Sequence, residues 1–340
     1  MAAPITAPSA APSCRSIDRG VAPFRAGDGV NGKMLFYSVA GLVLASEVPL
    51  AGRIPLPQAA EAAAIVRLAD IPDPVSGSTV TGPNWRAGKG ELLLSIPGLA
   101  SFLLVDGKEI RVRPASGGRL DDAAAFLTQN LLGLLMQQRG RIVLRASSIA
   151  IDGRAVLFCG DPAAGKSTVA AAMAARGRPV LGDDFCTVDW GADGAILIHG
   201  DSGCPMLWTD SIEALELGSA AGAAVRPGCF KYHVRPPACA SDGLPLGTIY
   251  FLGEDRRVET HRIGRPRGMK AVQAIRDSVY RPRALATAER RLRTFEAAAR
   301  IARQAPMFSL ARTSGFDWID EGLNAVEIGW NGAPERRGSP

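Results

Sequence analysis

The chain of 340 residues has little of what builds metal or disulfide frameworks. Its six cysteines, Cys14, Cys159, Cys186, Cys204, Cys229 and Cys239, form no C-x-x-C pair and keep no regular spacing. A chain this large needs no disulfide staples, so a reducing cytoplasmic compartment is expected. The three histidines, His199, His233 and His261, are scattered, which leaves a structural zinc site without support. Long apolar runs are missing as well. The longest, Met34 to Ala45, is interrupted by Ser38 and Gly41 and is too short to span a bilayer as a helix, so no membrane anchor is expected. The Ala-, Pro- and Ser-rich start lacks the basic residues and unbroken apolar region of a secretory signal, and residues 1–32 read as a disordered lead-in.

What is present is an ordinary globular composition, 47% hydrophobic and 21% charged, sufficient for a sizeable core. The net charge of +6 is unevenly spread. Between Arg256 and Arg303 stand thirteen arginines and Lys270, against only Glu259, Asp277, Glu289 and Glu296. Without interleaved aromatics or a reading module, this segment does not point to nucleic acid. A solvated helix face, a patch for nucleotide phosphates and a surface for an acidic polypeptide all remain open.

From Lys33 to about residue 118 short apolar runs separated by Gly, Pro and Asp turns predict a small, mainly β N-terminal region. Its clearest hairpin joins Ser101–Val105 to Glu109–Val112 through Asp106-Gly107-Lys108. Leu120 to Gln138 then reads as one helix, and residues 142–151 and 154–159 as a second hairpin turning at Asp152-Gly153. Strands are expected at 179–182, 185–188, 195–199, 248–252 and 307–310, and a helix over 284–303. Residues 119–330 thus form an α/β unit, followed by a loose tail at 331–340.

The second hairpin leads directly into Gly160-Asp161-Pro162-Ala163-Ala164-Gly165-Lys166-Ser167, a phosphate-binding loop. A helix rich in alanine follows and runs to Gly177. Successive N–H groups at the start of such a helix form an anion nest, Lys166 reaches the outer phosphates, and the Ser167 hydroxyl can ligate Mg2+. Gly160 to Thr168 are therefore candidate ATP-binding residues. Two details narrow the nest: Pro162 surrenders an N–H, and Ala163 stands where many such loops carry glycine. Downstream, the strand at 179–182 ends at Asp183-Asp184. A strand returning from the loop helix brings its end back toward the phosphate site. One aspartate there can hold magnesium and the other can accept a proton from an attacking hydroxyl.

The text from Leu144 to Thr168, L-R-A-S-S-I-A-I-D-G-R-A-V-L-F-C-G-D-P-A-A-G-K-S-T, and from Arg176 to Asp184, R-G-R-P-V-L-G-D-D, resembles the HPr serine kinase/phosphorylase family. The 17-residue interval from Lys166 to Asp183 is similar to that family's spacing. Softer similarity at Tyr37–Leu50 and Met206–Leu215 resembles its divergent branch, which includes kinases of lasso-peptide precursors. The resemblance implies a phosphoenolpyruvate-carboxykinase-like P-loop kinase domain and an ATP- and magnesium-dependent transfer to a serine of a peptide or small protein. It implies Lys166 as stabiliser of the moving phosphoryl group, Ser167 and Asp184 as magnesium ligands, Asp183 as base, and Lys231 as a second phosphate contact. Relatives form hexamers, so a homo-oligomer is an option, with no surface traceable for it.

Arg145 stands where relatives commonly carry histidine. It cannot shuttle a proton, although it can stabilise phosphate charge. The glycine-rich segment associated with phosphorolysis is not found. Two other function classes stay open: a nucleotide-binding regulatory protein whose chemistry has lapsed, and a kinase of a free small molecule such as an amino acid. An enclosed polar pocket beside the aspartates, rather than an open groove, would favour the latter.

Overall fold

The computed structural model describes residues 34–331 apart from 58–59, 72–79, 227, 241–242, 256 and 282–286. Cys14, the lead-in at 1–32 and the tail from residue 332 lie outside the described residues. Short apolar runs broken by turn residues form the first sheet: β1 (Leu35–Val39), β2 (Leu42–Ser46), β3 (Ala64–Leu68), β4 (Val80–Thr81), β5 (Trp85–Ala87), β6 (Glu91–Ile96), β7 (Ala100–Val105) and β8 (Glu109–Pro114). Their order is β1-β2-β3-β8-β7-β6-β5-β4, with β3 parallel to both β2 and β8. In the β7–β8 hairpin, Asp106 and Gly107 both take positive φ, 51° and 66°, which suits a tight reversal between twisted strands.

Helices α1 (Leu120–Asn130) and α2 (Leu132–Gln138) cover one face of this sheet, where Phe102 stacks on Phe126 at 5.3 Å. The sequence pattern predicts a single helix here. The chain instead breaks at Leu131, where Thr128 Oγ1 and Asn130 Nδ2 donate back to the carbonyls of Ala124 and Phe126. Such side-chain bonds compete with the helix ladder and bend it. The core beneath also takes in Phe185 and Tyr280, so the first sheet is joined to the rest by continuous apolar packing.

The second sheet begins with β9 (Ile142–Leu144), β10 (Ala146–Ile151) and β11 (Arg154–Gly160), separated by α3 (Lys166–Ala175) from β12 (Val180–Gly182), β13 (Cys186–Trp190) and β14 (Ile196–Gly200). The one strand expected over 142–151 is two. At Arg145 the backbone leaves the ladder and donates its N–H to Ser278 O at 2.6 Å, so β9 pairs with β13 while β10 pairs with β11 and β12. A small third sheet, β15 (Met206–Trp208), β16 (Ala221–Ala224) and β17 (Lys231–Val234), lies beside α4 (Thr209–Ala214). Strands β18 (Leu244–Glu254), β19 (His261–Gly264) and β20 (Met307–Arg312) complete the second sheet.

Alternation along β11 sends Phe158 to one face and Cys159 to the other. The first face packs on α3 and α7 (Ile319–Asn331), the second on α5 (Met269–Asp277) and α6 (Ala288–Gln304). Of the helix expected over 284–303, residues 284–286 fall outside the described residues. α6 is capped by Thr287, whose Oγ1 accepts from Arg290 N at 3.2 Å, and it stops before Pro306. The protein is therefore a mixed α/β chain with several sheets and seven α-helices among the described residues, none long and apolar enough to cross a membrane.

β11 is parallel to β18 and β18 to β20, while β10 runs antiparallel to both β11 and β12. Strands β12, β11, β18 and β20 therefore all point the same way. They end together at Gly182, Gly160, Glu254 and Arg312.

Gly133 on α2 faces Tyr280, and a Cβ there would stand 2.6 Å from the ring. The ring cannot slide, because Tyr280 Oη donates to Gln129 O at 2.8 Å and its N–H to Val143 O at 2.9 Å. Gly133→Val is expected to lower stability by about 1–3 kcal/mol through overpacking. A urea melt checks this.

Candidate functional site

Gly160 closes β11, and the chain turns through Asp161, Pro162, Ala163 and Ala164 before Gly165 opens α3. Gly165 takes φ 92° and Ala163 takes φ 66°. Glycine bears such a value freely, whereas alanine there costs about 1–2 kcal/mol. The loop's own side chain closes it: Lys166 Nζ donates to Gly160 O at 3.0 Å and to Asp161 O at 2.8 Å. Burial, and then the charge of Arg145, hold the Lys166 pKa below its usual value, while Asp183 and Asp184 act the other way.

A residue not anticipated from sequence braces the same loop. Arg312, buried at the end of β20, donates Nε and Nη2 to Ala164 O at 3.2 and 3.0 Å, and its guanidinium lies 5.2 Å from the Trp318 ring centre. Ser167 is half-buried in the first turn of α3, and Thr168 Oγ1 lies 3.3 Å from Ser211 Oγ on α4.

Asp183 follows β12 and is buried, with both carboxylate oxygens engaged. Ser147 Oγ donates to Oδ1 at 2.7 Å and Met206 N to Oδ2 at 2.9 Å. Burial raises its pKa, and these two bonds work against the rise. A third carboxylate, Asp201, is also buried. Its Oδ1 accepts from Asp183 N at 2.9 Å and Gly203 N at 3.2 Å, and its Oδ2 pairs with Arg53 Nη2 at 2.7 Å. Gly182 permits this approach, since a Cβ there would stand 2.2 Å from Asp201 Oδ1. Asp184 is the group left over. Its Oδ2 is buried without a hydrogen-bond partner among the described residues, and its pKa is raised to about 7 by burial and then by Asp201 and Asp183. Arg145 and Arg53 partly offset that rise.

The three aspartates, Arg53, Met206 and His233 wall a cavity of about 10 Å³, closed from the first-sheet side by Ala51, Gly52 and Arg53. That is room for about one water. Four buried polar atoms with no hydrogen-bond partner among the described residues belong to this wall: Asp184 Oδ2, Arg53 Nε and both ring nitrogens of His233. Native proteins leave few such atoms, and their convergence marks a place built for a polar ligand. His233 packs against Gly52, and its pKa is lowered to about 4 by burial and then by the charges of Arg53 and Lys231.

The residues singled out in the sequence divide accordingly. Lys166, Arg145, Asp183 and Asp184 share one electrostatic neighbourhood, since each of the other three acts on Lys166. Lys231, on β17, acts on Asp183 and holds its ammonium 5.9 Å from the Trp208 ring centre, which puts it on the aspartate side of the site. Magnesium fits the donor set. The unpartnered, buried Asp184 oxygen and the Ser167 hydroxyl are hard oxygen donors of the kind that ion prefers. Among the described residues no group of three or more His, Cys, Asp or Glu side chains is arranged to hold a metal ion.

Sequence reasoning missed Arg53, Asp201, His233 and Arg312, and gave Ser147 no role although it lies within the motif text.

No family model and no curated protein matches the chain. Among solved structures it is similar to the HPr(Ser) kinase/phosphatase from Coxiella burnetii, at 12% identity and a TM-score of 0.29, over 56% of this chain and 99% of that one. The likeness is distant. The chemistry has to be read from the residues themselves.

Two outcomes follow from the site's charge balance. Arg53→Met leaves Asp201 buried beside two other carboxylates and is expected to cost about 3–5 kcal/mol. Adding Asp201→Asn should recover much of that loss in a denaturant melt.

His233 has a folded pKa below its unfolded one, so the unfolded chain binds more protons on the acid side. Its contribution to stability is complete above about pH 6.5 and is lost as pH falls toward 4. His233→Leu should therefore resist acid better than the parent, by on the order of 1–3 kcal/mol at pH 4, and match it near pH 8. Urea midpoints at the two pH values decide this.

Proposed function

We propose that the protein is an HPr-kinase-like phosphotransferase that moves the γ-phosphoryl group of ATP to a serine hydroxyl of a peptide or small protein, on a phosphoenolpyruvate-carboxykinase-like P-loop domain. The observation that carries this reading is the shared sheet edge. Strands β11 and β12 run the same way and end together, with the Gly160–Ser167 loop after one and Asp183-Asp184 after the other.

The loop N–H groups and the start of α3 would cradle the phosphates, and Gly160 to Thr168 with Lys231 are the proposed ATP contacts. Lys166, already buried and drawn by Asp183 and Asp184, would release the loop carbonyls to meet the transferring group, with Arg145 adding positive charge. Ser167 and Asp184 would hold Mg2+, which when bound neutralises charge on the phosphate oxygens. Asp183 would receive the proton of the attacking hydroxyl at a carboxylate oxygen whose ionised form Ser147 and Met206 N–H support. Catalysis of this kind is positioning and charge stabilisation.

A second reading of the acceptor is favoured by the cavity beside the aspartates. It is small and bounded on one side by Ala51–Arg53, with room for about one water, which suits a single hydroxyl rather than a length of peptide. The two readings share every catalytic residue and differ only in the acceptor.

Incubation with labelled ATP and Mg2+ tests both, with serine-bearing peptides in one arm and free hydroxy-amino acids in the other. Asp183→Asn should abolish transfer, a loss of at least a hundredfold for a general base, while ATP binding persists. Lys166→Ala should weaken transfer and nucleotide affinity together. Transfer at the parent rate by Asp183→Asn would show the base to be elsewhere. Nucleotide binding without turnover in any arm would instead mark a nucleotide-binding regulatory protein.

A further inference from the structure

The arginine-rich stretch noted in the sequence folds into a concavity away from the phosphate loop. Helices α2, α5 and α6 and strand β9 line an open concavity of about 250 Å³, walled by Arg141, Arg276, Arg290, Arg291 and Arg293 against the single carboxylate of Asp277. That carboxylate is already engaged, accepting from Gln273 Nε2 at 2.6 Å. Like charges do not gather in a concave wall without cost, and here five guanidiniums share that one carboxylate of the wall.

The individual arginines sharpen the point. Arg290 donates Nη2 to Gln137 O at 2.7 Å, but its Nη1 is buried with no hydrogen-bond partner among the described residues. Burial and the neighbouring charge of Arg293 work against its protonation. Arg293 turns its guanidinium over Gly140, where a Cβ would stand 3.6 Å from Nη1, and its contact with Glu289 is an exposed 3.5 Å pair worth little. Arg141 is tied outward, to Asp189 at 3.3 Å and to Ala40 O at 2.7 Å, and Arg276 lies 5.9 Å from the Phe295 ring centre. A guanidinium presents a planar fork of donors that matches phosphate and carboxylate oxygens, so the unmet Arg290 Nη1 beside the exposed Arg291 and Arg293 points to such a ligand.

We propose that this cavity is a second anion site, distinct from the phosphate loop, which takes a compact polyanion bearing two or more phosphate or carboxylate groups. Its volume lies just below the roughly 300–1,000 Å³ of sites for drug-sized ligands, which argues for a small molecule over an extended acidic chain. The wall adjoins the segment that carries Arg145. Val143 and Val279 line the cavity, Tyr280 N donates to Val143 O at 2.9 Å, and Arg145 N donates to Ser278 O at 2.6 Å. An anion seated there rests against the segment that carries Arg145.

Calorimetric titration of the full chain with inorganic pyrophosphate and, separately, citrate tests the site and distinguishes phosphate from carboxylate ligands. The chain is compared with Arg290→Gln, Arg293→Gln and, as a remote control, Arg154→Gln. Any binding at the phosphate loop is common to all four proteins and drops out of the comparison. The expected result is at least a tenfold loss of affinity for one or both anions in Arg290→Gln and in the exposed, readily tolerated Arg293→Gln, with Arg154→Gln unchanged. Identical isotherms in all four proteins, no binding of either anion by the parent, or binding only of an acidic polypeptide would overturn the proposal.

Discussion

Three carboxylates share one buried pocket, and the ion pair between Arg53 and Asp201 is what makes that arrangement tolerable. Asp183 is satisfied by Ser147 and Met206, and Asp201 by the guanidinium and two backbone N–H groups. Asp184 is left under strain, its pKa lifted to about 7 by its neighbours and by burial. The pocket thus leaves one carboxylate oxygen open, on Asp184, while the other two carboxylates are partnered. Desolvation makes each interaction there stronger than it would be at the surface, in both directions. This is why Gly182 has no side chain and why the Ala51–Arg53 turn of the first sheet sits against the second.

The Gly160–Ser167 loop is different in kind. Its geometry is local, set by a strand, a tight turn and a helix, and it is held from outside by one long-range residue, Arg312. Four parallel strand ends bring loop, brace and aspartates to one edge, so a single sheet twist positions all three.

Local elements were legible in the sequence for the same reason. The β7–β8 hairpin, α3 with Gly177 beyond it and the strand ending at Asp183 all carry their signals within a few residues. The readings that failed did so where tertiary contacts override pattern. Residues 142–151 alternate like one strand, but Arg145 is drawn out of the ladder by Ser278, more than a hundred residues away. Helix α7 was invisible because Gly322 and Gly329 dilute its periodicity, and Gly322 is required there, since a Cβ would meet the Trp318 ring at 2.6 Å. In the site, Lys166 and the paired aspartates announced themselves by spacing. Arg53 and Asp201 could not, because an isolated residue of a common type in a loop gives no sign that it will be buried against a charge, and nothing in the short strand β17 marks His233 as their neighbour.

The separation along the chain also orders events in time. Arg53 and Asp201 lie 148 residues apart, whereas β11 and α3 are consecutive. Contacts between distant segments carry a loop-closure entropy that local ones escape, and they form late. A newly made chain can therefore shape the turn between β11 and α3 while its carboxylates are still open to water. The aspartate cage closes only when the segments carrying Arg53, the aspartates and His233 have come together, so the completed pocket reports the docking of the first sheet onto the rest.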